Sequence, residues 1–374
     1  MPKPKVLIDV FYLYVAQTGI KTYMLTICEQ IQRHSNPTCE YIISPDYRKV
    51  LKSDFFRGKT KPWKNLLFQG LYFWRKQVVL PTLSYWWQSD ILFSPDILSP
   101  LWGRGKKVSV VHDTFFWDSP DHYQKLWLKY YLFFLEKGLQ HRGEIITITK
   151  FSRSRLEQLP PFQHIPIHVV YPASGLKQDK PFSPELKNGS YFLHVGVLEK
   201  RKNLGMLIEA FSILLQDHRF SEIKLVLIGQ KGPRESLDDS SALESLVRHF
   251  HLEDKVIFKG HIAKEELCAY YGNALAYVFP SLNEGFGLPV LESFAFGIPV
   301  IVSRQGALME VAGEAALVIE ENTPEALSFA MRELAMDADL RCKLVEMGNI
   351  RIKAFSMEKF FLSLDQKLKD ITHE

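Results

Sequence analysis

The stretch from Ala276 to Ser303, AYVFPSLNEGFGLPVLESFAFGIPVIVS, restricts the fold of this chain more than any other. AYVFP reads as a short buried strand and PVIVS (299–303) as the next one. Between them lie a polar turn with two glycines and a short helix. Pro289 suits the first helical position, where its missing N–H would have no partner anyway. Gly297 can take the left-handed conformation that ends a helix. Such a strand–loop–helix–strand unit belongs to a parallel sheet, with its loop at the carboxyl end, where these sheets bind ligands.

The chemistry of the loop narrows the ligand. Gly285 and Gly287 let the backbone come close to it, and the following helix offers free N–H groups and its positive dipole end, which attract phosphate. Glu284 precedes the helix and Glu292 lies one turn into it, so the two carboxylates reach different parts of one ligand. Beside phosphates they would be repelled, so they make sense as grips on sugar hydroxyls. The unit reads as a clamp for a sugar nucleotide. The plain alternative is a buried turn with two salt-bridging glutamates.

The rest of the chain alternates strand and helix. In the first half KVLIDV, CEYIIS, DILFSP, KVSVVHD, EIITIT and HVVYPASG read as strands, and in the second YFLHVG, KLVLIG, VIFKG, AYVFP, PVIVS and ALVIE. Helices are expected over TYMLTICEQI, 123–142, 203–217, 241–252, 264–273 and 324–335, with Ser152 capping one near 151 and Thr323–Pro324 starting the last. The pattern predicts an α/β fold of doubly wound parallel sheets. A length of 374 residues exceeds one ordinary core. The expected domains are 1–178 and 179–356, joined by a polar Pro- and Gly-bearing linker at 177–190, with an amphipathic helix at 357–374 packing back on the first domain.

Composition excludes several classes. Cys28, Cys39, Cys268 and Cys342 form no C-x-x-C pair, so neither a disulfide framework nor a zinc site is expected, and a reducing cytoplasm fits. The N-terminal apolar run is too short for a signal peptide, and no stretch is long enough to span a bilayer. The net charge of +4 conceals an asymmetry. Residues 46–76 carry Arg48, Lys49, Lys52, Arg57, Lys59, Lys61, Lys64, Arg75 and Lys76 against Asp46 and Asp54, a net +7 that leaves the remainder at −3. Phe55, Phe56, Trp63, Phe68, Tyr72, Phe73 and Trp74 are interleaved with them. This composition suits an element lying on an anionic membrane surface, and equally a solvated, partly packed helix pair. No nucleic-acid motif accompanies it.

Other polar residues fall at expected strand ends. His112 and Asp113 follow a strand and should point into a crevice, and Gly19 lies near a helix N-terminus, close to a ligand or simply making the turn. Arg201 and Lys202, after Gly196 and at the entrance to a helix, could neutralise a diphosphate in place of a divalent metal; otherwise they are two solvated cations. Asp337-Ala338-Asp339 spells D-x-D but lies in a helical region and is assigned no role.

Four motifs together carry a resemblance. E-G-F-G-L-P-V-L-E (284–292), V-L-E-K-R-K-N-L (197–204), H-D-T-F (112–115) and Q-G-A-L-M-E-V-A-G (305–313) resemble those of the family 4 retaining glycosyltransferases. The resemblance covers most of the chain, most strongly the second half. It implies the GT-B fold, two Rossmann-like domains facing across a cleft, the first binding the acceptor and the second a nucleoside diphosphate sugar donor. It implies a donor-binding set of Gly19, Gly196, Arg201, Lys202, Glu284, Gly285, Phe286, Gly287, Leu288 and Glu292. Within it Glu292 would hold the ribose, Glu284 with the amides of Phe286 and Gly287 the donor sugar, and Arg201 and Lys202 the diphosphate. His112 would lie beside the transferred sugar, and His112, Arg201, Lys202 and Glu284 would carry catalysis. Val197 departs from the Arg, Ser or Thr common there, which places more weight on Arg201 and Lys202. AQTGIKTY has a single glycine instead of a pair.

The expected activity is transfer of a hexose to an acceptor hydroxyl with retention of configuration, without metal or cofactor, in bacterial polysaccharide or lipid-linked glycan synthesis. The expected location is cytoplasmic, with the inner face of the membrane contacted through residues 46–76. Two other readings stand beside it. A sugar-nucleotide epimerase of similar architecture would need paired acid–base residues, which are not identifiable. A catalytically silent sugar-nucleotide-binding partner is opposed by the intact Arg201, Lys202, Glu284 and Glu292.

Overall fold

The computed structural model describes residues 2–16, 18–56, 61–176, 189–232 and 236–373. Most of the expected linker, together with Arg57 and Lys59, lies outside them. The chain divides into two compact units, Met1–Ala173 with Ser356–Glu374, and Ser174–Phe355. The helix Met357–His373 thus belongs to the first unit. It buries Phe360, Phe361, Leu364, Leu368 and Ile371 there, and Asp365 accepts from the Thr38 N–H at 2.7 Å and the Tyr41 hydroxyl at 2.6 Å.

Each unit is built on a six-stranded parallel sheet. The first contains β1 (Lys5–Asp9), β2 (Glu40–Ser44), β3 (Ile91–Ser94), β4 (Lys106–Val111), β5 (Gly143–Thr147) and β6 (Ile167–Val169), in the order β2-β1-β3-β4-β5-β6. The second contains β7 (Tyr191–Val195), β8 (Lys224–Ile228), β9 (Val256–Lys259), β10 (Ala276–Phe279), β11 (Val300–Ser303) and β12 (Leu317–Ile319), in the order β9-β8-β7-β10-β11-β12. These are the flavodoxin-like and dinucleotide-binding orders of the doubly wound fold. The strands are near-continuous apolar runs because helices cover both faces. Val6, Leu7 and Ile8 of β1 and Tyr277, Val278 and Phe279 of β10 are wholly buried. In each sheet the winding reverses once, between β1 and β3 and between β7 and β10, and such switch points open a crevice beyond the strand ends.

Some local expectations need correction. The helix expected over 123–142 runs only from Lys125 to Leu139. Thr149, not Ser152, caps the helix Lys150–Glu157. The preceding strand ends at Thr147, so the hydroxyl one residue before the helix is the one that reaches the Ser152 N–H, at 3.0 Å. Asp337 of the D-x-D sequence caps the helix Ala338–Arg351, accepting from the Leu340 N–H at 2.8 Å. Gly19 lies inside the first turn of the helix Thr18–Arg33.

The largest correction concerns the basic aromatic region. Arg75 and Lys76 do not face solvent; both are buried. After the helix Pro62–Trp74 the chain makes one wider, π-type turn, Arg75–Val79, which brings both side chains inside. There Arg75 pairs with Asp9 at 3.0 Å, and Lys76 bridges Asp9 at 2.9 Å and Asp96 at 2.7 Å. The Tyr72 hydroxyl also donates to Asp96. Burial would raise the Asp9 carboxyl, but Lys76 and Arg75 hold it below its usual range. The helix Pro62–Trp74 meanwhile turns Phe68 and Tyr72 inward and leaves Trp63, Leu66, Leu67, Leu71 and Trp74 exposed.

Candidate functional site

The second unit gathers the predicted site at its switch point. β10 ends at Phe279, and the loop 280–287 leads to the helix Leu288–Ala295, where Pro289 occupies the second position instead of the first. Gly287 precedes the helix with φ +104°, a conformation L side chains resist, and a Cβ there would lie 2.6 Å from Leu308 Cδ2. Glycine at this position therefore answers to backbone and packing as well as to any ligand. Phe286 buries its ring edge-on to Phe355, with centroids 5.8 Å apart. Gly297, at φ +66°, ends the helix in the left-handed region as the sequence predicted.

Opposite this loop, β7 ends at Val195, and Gly196 opens the turn that leads to Lys200–Lys202. Asn203 takes the left-handed conformation (φ 55°), to which asparagine is better suited than most residues, and starts the helix Leu204–Leu214. This tight turn presents Arg201 and Lys202 to Glu284. Lys202 Nζ lies 2.6 Å and Arg201 Nη1 3.0 Å from Glu284 Oε1, and Arg201 Nε lies 2.8 Å from Glu199 Oε2. Two backbone contacts lock the loops together: Leu282 N–H donates to Arg201 O at 2.9 Å, and Arg201 Nη1 donates to Asn283 O at 3.2 Å.

The electrostatics follow from this geometry. Burial alone would raise the Glu284 carboxyl, yet Lys202 and Arg201 hold it down at about 2. Lys202 shares that carboxylate with Arg201, and burial draws its ammonium below the usual lysine range. Glu284 is thus firmly ionised and already paired with both cations, while Arg201 keeps about a third of its side chain open, at 30% exposure.

Glu292 is different. It faces no cation among the described residues, and the Tyr271 hydroxyl donates to its Oε2 at 2.7 Å. Enclosure by protein pushes its carboxyl up to about 7, the phenol acting against that rise. His194, on β7, is wholly buried. Its Nδ1 lies 3.0 Å from Val278 O and its Nε2 has no partner, 3.2 Å from where a Cβ on Gly196 would stand. Sequence reasoning missed Tyr271 and His194. A tyrosine in a helix and a histidine inside an apolar strand both read as core, and their partners lie far along the chain.

Two predicted residues fall in the first unit. His112 follows β4 and is half-buried: its ring sits edge-on to Tyr23, with centroids 4.9 Å apart, and its Nε2 lies 3.0 Å from Pro95 O. Loss of surrounding water pushes its pKa down to about 4, against that hydrogen bond, so the ring is neutral near pH 7. Asp113 accepts from the Phe115 N–H at 3.1 Å, at the start of the short helix Phe115–Asp118. Among the described residues no helix is long and apolar enough to cross a membrane.

Known proteins agree with this reading of the fold. Residues 177–351 match the family described as glycosyl transferases group 1. The chain is 30% identical over 264 residues to O-antigen chain mannosyltransferase B of Escherichia coli, spanning 68% of this chain and 67% of that protein. It is 26% identical over 225 residues to O-antigen chain mannosyltransferase RfbU of Salmonella typhimurium, spanning 60% and 59% respectively. Among solved structures, sucrose-phosphate synthase from Thermosynechococcus elongatus aligns over 99% of both chains, with a TM-score of 0.69 at 19% identity. Anabaena Alr3699/HepE in complex with UDP and glucose aligns over 98% of this chain and 99% of its own, with a TM-score of 0.68 at 16% identity. The structural likeness shows a common fold, the two Rossmann-like domains of the GT-B class. The chain belongs to the group 1 glycosyl transferases.

Proposed function

We propose that the protein is a family 4 retaining hexosyltransferase acting in bacterial polysaccharide or lipid-linked glycan synthesis. The observation that carries this reading is the junction of Arg201, Lys202 and Glu284 within 3.0 Å at a sheet switch point, beside the helix that bears Glu292. Relatives named as O-antigen mannosyltransferases and a neighbour solved with UDP and glucose support it. Glu292 binds the ribose. Glu284 and the amides of Phe286 and Gly287 hold the donor sugar, Gly196, Gly285 and Leu288 shape the contact, and Arg201 and Lys202 receive the diphosphate. His112 lies against the transferred sugar as a neutral hydrogen-bonding group, and Gly19 lies near the phosphate or acceptor.

The acceptor oxygen attacks the anomeric carbon from the face that the diphosphate leaves. The new glycosidic bond forms as the carbon–phosphate oxygen bond breaks, and the departing phosphate takes the acceptor's proton. The protein supplies position and charge stabilisation instead of an acid–base pair. Two fixed cations on the leaving group support a reaction without metal.

The acceptor is membrane-proximal in this reading, and the protein sits at the inner face of the membrane. Its contact is the exposed stripe Trp63, Leu66, Leu67, Leu71 and Trp74, flanked by Lys61 and Lys64. Arg75 and Lys76, spent on Asp9 and Asp96, take no part. Aromatic and basic residues on one surface helix suit a headgroup region. Co-sedimentation with anionic but not neutral vesicles, lost in Trp63→Ser with Trp74→Ser, supports this contact; unchanged sedimentation of the variant refutes it.

The donor site is tested by thermal shift against UDP-, GDP-, ADP- and dTDP-sugars in EDTA. One sugar nucleotide should raise the melting temperature, and Glu292→Ala should abolish the rise. No rise with any of the four would overturn the reading. Proton NMR of the product with the donor so found should show the donor's anomeric configuration.

A further inference from the structure

We propose that Tyr271 is a positioning residue of the nucleotide site, holding the Glu292 carboxylate so that its second oxygen meets a ribose hydroxyl. The inference rests on the donor reading above, in which Glu292 is the ribose ligand. Tyr271 belongs to the helix Lys264–Asn273, is wholly buried, and donates its hydroxyl to Glu292 Oε2 at 2.7 Å across 21 positions of sequence. The ring has no freedom to swing. It stacks on Phe296 with centroids 5.6 Å apart and planes 13° from parallel, and Tyr277 packs 5.9 Å away. Tyr277 is itself anchored, its hydroxyl donating to Val195 O at 3.1 Å at the end of β7. A line of rigid aromatic contacts thus joins the strand before Gly196 to the carboxylate on the helix Leu288–Ala295.

The other half of the carboxylate is left available. Glu292 is partly exposed, and its Oε1 has no partner among the described residues, nor is it one of the sealed polar atoms that lack one. A phenol bound to one oxygen fixes the carboxylate plane and leaves the lone pairs of the other to accept from a ligand hydroxyl. The titratable groups around this pair are Tyr271 and Cys268 from the helix Lys264–Asn273 and Tyr277 from β10; no Lys or Arg contributes to the Glu292 carboxyl. The Tyr271 hydroxyl is therefore the neighbour that favours the ionised form of Glu292.

Tyr271→Phe keeps the ring and its stacking and removes only the hydroxyl. The full-length protein and this variant are titrated with UDP-glucose, GDP-mannose, ADP-glucose and dTDP-glucose from pH 6 to 8.5, alongside Glu292→Gln. The Glu292 carboxyl is followed by carbon-13 NMR as the resonance absent from Glu292→Gln. The affinity of the donor that binds should fall about tenfold in Tyr271→Phe. The carboxyl titration should move upward and the lost affinity should return in part at higher pH, with the melting temperature little changed. A structural role alone would leave the titration midpoint in place. Unchanged affinity and midpoint in Tyr271→Phe, with Glu292→Gln defective, would overturn the positioning role alone. An undiminished affinity in Glu292→Gln, or binding of none of the four sugar nucleotides by the wild type, would overturn the donor reading and this inference with it.

Discussion

The two sheets meet the same problem at their switch points and answer it with the same pair of residues. In the first unit Arg75–Lys76 grips Asp9 and Asp96; in the second Arg201–Lys202 grips Glu199 and Glu284. Each set has two cations and two carboxylates, at or just beyond the carboxyl ends of parallel strands, where ligands bind in such folds. The difference is access. The side chains of the first set are at most 9% exposed, whereas Arg201 keeps 30% of its surface open. The first set is sealed beneath its own helix and works as a lock; the second lies beside a glycine-bearing loop and the N-terminus of a helix. Charge at a switch point does not by itself make a binding site. In the proposed reading, the open side of Arg201 is what admits the ligand to the second set.

The largest expected effect separates the two sets by stability. Lys76→Met would leave Asp9 and Asp96 with one cation between them and should cost about 3–5 kcal/mol in urea unfolding. Lys202→Met leaves Arg201 on Glu284 and should cost about 1–2 kcal/mol. Equal losses would erase the distinction between lock and site. Turnover should order them the other way: in the proposed reading Lys202→Met removes a fixed charge from the leaving group, and should lower the transfer rate about 10²–10³-fold.

A smaller effect probes the loop. Gly287→Ala must place a side chain at φ +104° against Leu308, and should cost about 1–3 kcal/mol together with donor affinity. A neutral result would mean that the loop relaxes without consequence.

The smallest effect is a pH dependence, and it has opposite signs at the two glutamates. Glu284, held at about 2, contributes stability that is present above the ordinary glutamate range and is lost progressively as the pH falls from that range through about 2. Glu292, raised to about 7, favours the fold below the ordinary range and loses that contribution as the pH rises through 7. Glu292→Gln should therefore gain stability relative to wild type between about pH 5 and 8, read from thermal unfolding at each pH. A constant difference across that window would show that the carboxyl is not raised.

What was legible in the sequence divides along the same line. The twelve strands could be read because buried parallel strands are unbroken apolar runs, and Arg201–Lys202 because a strand glycine precedes it and a helix follows. Arg75–Lys76 looked like part of a solvent-facing basic run. Its true place depends on a π-type turn and on Asp9, 66 positions away, neither of which has a local signature. The setting of the His112 ring depends on Tyr23 and Pro95 in the same way. The Tyr271–Glu292 pair was hidden because a helical tyrosine among apolar neighbours reads as core until its partner is seen. Chemistry carried by adjacent residues was readable; chemistry assembled across the sheet was not.

The most direct test of the central claim is calorimetric titration of UDP, GDP, ADP and dTDP, in EDTA, into the wild-type protein and Lys202→Met, with both melting temperatures recorded. The account predicts that one nucleotide binds the wild type and that Lys202→Met weakens it by about tenfold or more while remaining folded. Equal affinity in the two proteins, or no binding of any of the four nucleotides to the wild type, would contradict it.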